Sequence, residues 1–166
     1  MNIAIGWSYI CPVEIAPLLQ WVEASAGRWP EPSTPCKPSR IQGDRLPMDL
    51  VDPITAQVLA EFDPAAELHG HPGKFIAAEP MLSRMLPGQS HGYHVDTQRA
   101  DCVTRVHVPI TTNPDAWIAF ESLIGGLNMH LEAGHAYTFN TALRHAFGNN
   151  GETARVHLIF EVLRCG

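Results

Sequence analysis

The second half of the chain contains short segments in which apolar and polar residues alternate. Such alternation is typical of a β-strand with one buried face, because successive side chains point to opposite faces of a strand. The clearest segments are Val103–Ile110 and Ala154–Leu163. The side chains predicted to share a face are Val103, Arg105 and His107 in the first segment, and Arg155, His157 and Ile159 in the second.

Three further segments predict additional strands. Two of them, Trp117–Ile124 and Leu127–Leu131, are rich in β-branched, aromatic or other apolar residues, and the third, His135–Phe139, follows Gly134. The pair Gly125-Gly126 predicts a hairpin between the first two of them. Strands at such regular spacing, with turn residues between them, indicate a mainly β protein with an antiparallel sandwich or small barrel.

The first half of the chain has a different pattern, which predicts two short helices. One covers Pro17–Ala26, and the other starts with Asp52 as N-cap and Pro53 as first helical residue, leading into Ile54–Phe62. Between them, Trp29–Pro47 is rich in proline and polar residues and predicts a loop that either folds over a site or connects the helices.

Length and composition restrict the class of protein. A chain of 166 residues with 45% hydrophobic and 17% charged residues predicts one ordered domain, residues 1–166, in which residues 1–75 frame a core of residues 76–163. A net charge of −6 argues against nucleic-acid binding, and no apolar run reaches the roughly 18 residues of a membrane span. With no signal-peptide pattern, the scattered cysteines indicate reduced thiols and a cytoplasmic protein: Cys11, Cys36, Cys102 and Cys165.

Nine histidines supply candidate metal ligands, and the strongest group is His94 and Asp96 with the later His145. On an extended segment, residues two apart point the same way, so His94 and Asp96 can bind one metal ion together. Two histidines and one carboxylate suit a non-haem Fe(II) that also binds a co-substrate and dioxygen. The His-x-Asp pattern alone also occurs by chance.

Arg155 strengthens this interpretation. A hairpin at Gly148–Gly151 would place His145 and Arg155 on neighbouring strands, with the guanidinium facing the metal. Two like charges repel unless an anion lies between them, and a dicarboxylate bound to both would be such an anion. The alternative is that Arg155 is a solvated residue on an outer face.

Several motifs occur together in the order of a known family: Pro87-Gly88, His94-x-Asp96, Arg105–Ile110, Gly134–Asn140, His145 and Arg155–Val162. With them the chain resembles the aspartyl/asparaginyl β-hydroxylase family of Fe(II)/2-oxoglutarate oxygenases, across about Ala77 to Val162. The resemblance implies a double-stranded β-helix, a barrel of the cupin or jelly-roll type, preceded here by short N-terminal helices.

The resemblance also implies roles for individual residues. His94, Asp96 and His145 would bind iron, and Arg155 would bind the C5 carboxylate of 2-oxoglutarate with help from Ser83. Two more residues, Arg105 and His107, match positions near the other end of the co-substrate or the iron. Some family members have glycine in place of the carboxylate ligand, and the presence of Asp96 here favours hydroxylation over halogenation.

We therefore expect an Fe(II)/2-oxoglutarate-dependent dioxygenase that hydroxylates an unactivated C–H bond and releases succinate and CO2. A free amino acid or a peptide segment is the expected substrate. Arg40 or Arg45 could pair with a substrate carboxylate, but solvated surface arginines are the simpler interpretation. Two alternatives stay open, namely a cupin-type metalloprotein that does not use 2-oxoglutarate and a non-catalytic ligand-binding barrel. His69 and His71 could form a second metal site, but a loop is the simpler interpretation.

Overall fold

The structure, a computed structural model, describes residues 7–32, 34, 37–68, 74–96, 102–121 and 127–165. Within these residues it contains two α-helices, α1 (Ala16–Ala24) and α2 (Met48–Leu68). The strands are β1 (Trp7–Pro12), β2 (Ser39–Gln42), β3 (Lys74–Met85), β4 (Ser90–His94), β5 (Cys102–Thr111), β6 (Ala116–Phe120), β7 (Leu127–Met129), β8 (His135–Phe139), β9 (His145–Asn149) and β10 (Arg155–Cys165). Neither described helix combines the length and apolar character needed to cross a membrane.

The strands form two antiparallel sheets. The larger sheet has the order β1-β8-β5-β10-β3-β2, and the smaller one has the order β4-β9-β6-β7. Apart from the consecutive pair β6 and β7, neighbours within each sheet are distant in sequence, as in a jelly roll, where the chain repeatedly crosses from one sheet to the other. The prediction of a mainly β, jelly-roll barrel is confirmed.

The larger sheet separates the main apolar core from an interior that buries polar groups beside a smaller apolar cluster. On β10, Val156, Leu158 and Phe160 pack with Leu18 of α1 and Phe62 of α2 in the main core. The alternate side chains of β10 point the other way, toward the smaller sheet, and Arg155 and His157 are buried there. The predicted faces of this strand are therefore confirmed.

The predicted faces of the other alternating segment are confirmed for Arg105 and His107 but wrong for Val103. Val103 packs against the helix-covered core instead of sharing the face of Arg105. The reason is a register shift between β10 and β5, where Val162 pairs with Thr104 and Leu163 pairs with Cys102. Such a bulge adds one residue to a strand and turns the next side chain to the opposite face.

The predicted start of the second helix is also wrong. Helix α2 begins at Met48, because the carbonyl of Pro47 accepts hydrogen bonds from the amides of Leu50 and Val51, at 2.9 and 3.1 Å. Pro53 consequently lies in the second turn rather than at the first position. The first helix, α1, lies within two residues of its predicted bounds.

The predicted loop at Trp29–Pro47 contains strand β2, which pairs with β3 at the edge of the larger sheet. Strands β6 and β7 pair with each other as the hairpin prediction requires. Both are shorter than predicted, and Gly125-Gly126 itself lies outside the described residues, as do His69 and His71.

Candidate active site

Three predicted metal ligands come together at the β4–β9 pair. His94 and His145 are directly paired across the two strands, and Asp96 follows β4, held by a hydrogen bond of 3.1 Å from its amide to the carbonyl of Thr141. The Asp96 carboxylate lies 3.4 Å from Nε2 of His94 and 3.9 Å from Nε2 of His145. One ligand atom from each of the three residues lies within 4.8 Å of the others.

Backbone hydrogen bonds orient both imidazoles for metal binding. Nδ1 of His94 lies 2.8 Å from the carbonyl of Gly92, and Nδ1 of His145 lies 2.9 Å from the carbonyl of Leu143. A carbonyl oxygen only accepts, so in the neutral form of each ring Nδ1 carries the proton and Nε2 carries the lone pair that can bind a metal ion. Burial lowers the pKa of His145, which favours the neutral imidazole that a metal ion binds.

The carboxylate ligand has a cationic neighbour. The guanidinium of Arg105 on β5 forms an ion pair with Asp96 through Nη1 and a second ion pair with Glu161 on β10 through Nη2, the latter at 2.7 Å. Arg105 therefore contacts the candidate metal ligand itself. Glu161 was missed by the sequence analysis, although it continues the inward alternation that includes Arg155 and His157 and is buried.

Arg155 lies in the larger sheet, opposite the metal ligands rather than beside them. The predicted hairpin between His145 and Arg155 is wrong, because β9 pairs with β4 and β6, whereas β10 pairs with β3 and β5. The turn between β9 and β10 thus carries the chain from one sheet to the other. Both residues still face the same interior, where the Phe147 ring, two residues after His145, lies 5.3 Å from the guanidinium carbon of Arg155.

The alternative of a solvated Arg155 is wrong, because the side chain is 2% exposed. Its Nε donates to Nε2 of His157 at 2.9 Å, and its Nη1 donates to the sulfur of Met85 at 3.3 Å. No carboxylate pairs with it among the described residues. Burial lowers the pKa of Arg155 to about 9, so the guanidinium stays charged at neutral pH.

Two further predicted residues lie near Arg155. Ser83 on β3 is buried and directly paired with His157, so its side chain shares the inward face, but the hydrogen-bond partners of Arg155 within the described chain are Met85 and His157. His107 packs its ring at 4.7 Å from that of Phe139 and lies 3.5 Å from His157 between Nδ1 atoms. Burial, reinforced by the charge of Arg155, lowers the pKa of His107 and His157 well below the usual value, so both are neutral at pH 7.

The donor set fits Fe(II). Two neutral imidazoles and one carboxylate on a single side of the site are the ligands of non-haem Fe(II) oxygenases, and they leave coordination positions open for other molecules. A jelly-roll barrel with these ligands facing its interior fits the general class of non-haem Fe(II) oxygenases.

Comparisons with known proteins agree with this class. The sequence profile described as aspartyl/asparaginyl beta-hydroxylase matches residues 52–165, and the chain belongs to that family. A search of curated protein sequences finds no match.

Similar solved structures share the fold at low sequence identity. A 2-oxoglutarate–Fe(II) oxygenase family oxidoreductase from Burkholderia pseudomallei superposes with a TM-score of 0.71 at 17% identity, covering 97% of this chain and 85% of that one. A Pseudomonas putida prolyl-4-hydroxylase gives a TM-score of 0.67 at 16% identity, covering 97% and 94%. A viral collagen prolyl hydroxylase from Paramecium Bursaria Chlorella virus-1, in complex with 2-oxoglutarate, gives 0.69 at 11% identity, covering 96% and 97%.

Proposed function

We propose that the protein is an Fe(II)- and 2-oxoglutarate-dependent dioxygenase that hydroxylates an unactivated C–H bond of an amino acid or a peptidyl residue. Succinate and CO2 are the co-products. The observation that carries the proposal is Arg155, a buried cation with no carboxylate partner among the described residues, which faces the same interior as the metal ligands. A buried charge is costly unless it is paired, so the site calls for an anion.

Each residue has a distinct task in this proposal. His94, Asp96 and His145 hold the iron, and Arg155 holds the C5 carboxylate of 2-oxoglutarate in a position where burial strengthens the ion pair. The neutral imidazoles of His107 and His157 add no further positive charge, so one cation meets one carboxylate. When bound, iron and 2-oxoglutarate supply the chemistry that activates dioxygen, and the chain supplies position and exclusion of water.

Anaerobic titration tests the proposal before any substrate is identified. Fe(II) is added to the metal-free protein, followed by 2-oxoglutarate, and the visible charge-transfer band of the chelate is recorded. We expect the band in the wild type. In Arg155→Gln we expect 2-oxoglutarate to bind about 10- to 100-fold more weakly, the usual range for a charge-assisted hydrogen bond, with Fe(II) affinity within about twofold.

Arg144→Gln is the matched control, because Arg144 is a half-exposed arginine paired with Glu121 at the surface. It should leave both affinities unchanged. Absence of the band in protein that holds iron would contradict the use of 2-oxoglutarate and favour a metalloprotein of another kind. A band without any succinate release would favour a binding protein.

A further inference from the structure

His157 on β10 contacts two other residues of the interior between the sheets, Arg155 and His107. Its side chain is 2% exposed, so water does not compete for these contacts. Nε2 lies 2.9 Å from Nε of Arg155, and Nδ1 lies 3.1 Å from Nη2 of Arg155 and 3.5 Å from Nδ1 of His107. Both imidazoles are neutral at pH 7, so each carries one proton on one of its two nitrogens. The position of that proton decides what each ring can bind.

The contacts with Arg155 select the tautomer of His157. A guanidinium only donates, so the ring nitrogen that faces its closest N–H carries the lone pair. That nitrogen is Nε2, and the proton of His157 is therefore on Nδ1. Either tautomer sets one ring N–H against one guanidinium N–H. This one places that contact at the longer distance, 3.1 Å rather than 2.9 Å, and gives the ring proton an acceptor on His107.

The tautomer of His157 in turn fixes that of His107. A hydrogen bond between two Nδ1 atoms needs one donor and one acceptor, and His157 supplies the donor. Nδ1 of His107 then accepts, and the proton of His107 is on Nε2. Within the described residues, no hydrogen bond to another group uses this Nε2. His107 thus keeps one N–H donor for a bound molecule.

His107 is close to both parts of the candidate site. Burial, followed by the charges of Arg155, Arg105 and His145, lowers its pKa, so His107 lies within electrostatic range of the buried arginine and of a metal ligand. An N–H donor here suits an oxygen atom of a molecule bound at the metal, while Arg155 binds a carboxylate at the far end of the same molecule. The hydrogen-bonded chain from Arg155 through His157 to His107 connects these two groups.

Building on the proposed function, we propose that His157 is a positioning residue that prepares both groups for the co-substrate. Through Nε2 it holds the guanidinium of Arg155, and through Nδ1 it keeps His107 as an Nε2–H donor. Arg155 donates one N–H to His157 and one to Met85, which leaves one N–H on Nη1 and both on Nη2 for a carboxylate. His157 acts through its neighbours and does not contact the co-substrate itself.

Nitrogen-15 NMR of the metal-free protein at pH 8 tests the tautomers directly, because protonated and unprotonated ring nitrogens have well separated chemical shifts. We expect the proton of His157 on Nδ1 and that of His107 on Nε2. In His157→Phe, which keeps a ring but no nitrogen, His107 should lose this preference and populate both tautomers. Reversed tautomers in the wild type, or unchanged His107 shifts in His157→Phe, would overturn the proposal.

Anaerobic titration of the Fe(II)-loaded protein with 2-oxoglutarate separates the two actions of His157. The Kd is compared in the wild type, His157→Phe, Arg155→Gln and the double variant. If His157 acted only through Arg155, the double variant would bind as Arg155→Gln does. We expect it to bind at least threefold more weakly, because His107 is then disturbed as well. Equal Kd values for the double variant and Arg155→Gln, or a wild-type Kd in His157→Phe, would also overturn the proposal.

Two further variants exclude a general loss of packing. His157→Gln should recover part of the lost affinity, because its amide offers both an acceptor and a donor. The matched control His135→Phe, at a partly exposed position, should bind as the wild type does. Should a variant fail to fold, the tautomers of the wild-type protein still decide.

These results are distinguishable from a failure of the proposed function, because the tautomers are measured without metal or co-substrate. Reversed tautomers in a protein that forms the charge-transfer band overturn the role of His157 and leave the oxygenase standing. The expected tautomers in a protein that forms no band support the hydrogen-bonded chain and contradict its use for 2-oxoglutarate.

Discussion

Arg105 shares its guanidinium between Asp96, a candidate metal ligand, and Glu161, which is buried behind it. An arginine beside a metal ligand competes with a cation for that carboxylate. The second ion pair offsets this effect, because with neutral imidazoles the group of Asp96, Arg105 and Glu161 keeps a net charge of −1. One carboxylate oxygen of Glu161 has no hydrogen-bond partner among the described residues, so its charge is only partly compensated. We therefore expect Glu161 to affect metal binding through Arg105, without contacting the candidate ligands itself.

Glu161→Gln should therefore weaken metal binding. The amide keeps the shape of the side chain but removes a buried negative charge, and it leaves Arg105 paired with Asp96 alone. We expect the Kd for a divalent probe such as Co²⁺ to rise about tenfold, which corresponds to about 1.4 kcal/mol. The measurement is a titration of metal-free protein at constant pH and ionic strength.

Glu121→Gln is the matched control, because Glu121 also pairs with an arginine, Arg144, but both side chains are about half exposed. Exposed pairs contribute little, so Co²⁺ affinity should not change. An affinity in Glu161→Gln equal to that of the wild type would show that Arg105 does not transmit the charge of Glu161 to the metal site.

At the scale of single elements, β9 matters most for the site because it carries both His145 and Phe147. Between the neighbouring strands β4 and β6, its residue Gly148 lies directly under the Trp117 ring. A Cβ at this position would be 2.6 Å from the nearest ring carbon, closer than atoms can approach. Gly148→Ala therefore forces the ring or the strand to shift, and we expect a loss of about 1–3 kcal/mol in the free energy of unfolding, as for an overpacked core.

The control for this substitution is Gly92→Ala on β4. A Cβ there meets no atom within 4 Å, and no unusual backbone angle is required. Both variants add one methyl group to a strand of the smaller sheet, so urea unfolding of the pair isolates the contact with Trp117. Equal midpoints for the two variants would mean that Trp117 has room to move aside.

The features that could be predicted from the sequence are those that depend on residues close together in the chain. Alternation assigned the inward and outward faces of β10, because one face is covered by helices and the other by the smaller sheet. Alternation does not say which strand lies beside which, and this is why the hairpin between His145 and Arg155 was wrong. Strand β2 was missed for a related reason, since only its pairing with β3 distinguishes it from a polar loop.

In the candidate site, too, contacts between residues close in sequence could be predicted, whereas contacts between distant residues could not. His94 and Asp96 are two residues apart, so the sequence could predict that they act together. The contact between Arg105 and Glu161 joins residues 56 positions apart, and only the sheet register brings them together. A clue was present in the sequence, because an acidic residue at an inward position of a buried strand needs a partner.

For the molecule as a whole, the two faces of the larger sheet differ in character. The face covered by α1 and α2 is apolar, whereas the face toward the smaller sheet buries polar and charged groups beside a small apolar cluster. These interior groups include His107, His145, Arg155, His157 and Glu161. Burial of such groups costs stability unless they are paired, so the apolar layer stabilises a fold whose interior is arranged for binding.

This arrangement predicts that acid destabilises the protein at a pH where carboxylates are still ionised. Burial lowers the pKa of His107 and His157 well below the usual value of 6.5. At a pH between the folded-state and unfolded-state pKa of these histidines, the unfolded chain binds more protons than the folded protein does. The free energy of unfolding is therefore highest above about pH 6.5 and decreases as the pH falls through that value. Each histidine can contribute up to about 1.4 kcal/mol per pH unit. Urea unfolding of metal-free protein between pH 7.5 and 5.5 measures the slope.

His157→Gln separates this cause from general acid sensitivity. The variant is expected to be less stable at every pH, because Arg155 loses its imidazole partner, but the decisive quantity is the slope of unfolding free energy against pH. Removal of one buried histidine should reduce that slope by about one proton's contribution. His135→Gln, at a partly exposed position, should leave the slope as it is in the wild type. A slope in His157→Gln equal to that of the wild type would mean that His157 is solvated when protonated, and that the interior between the sheets admits water more readily than its burial implies.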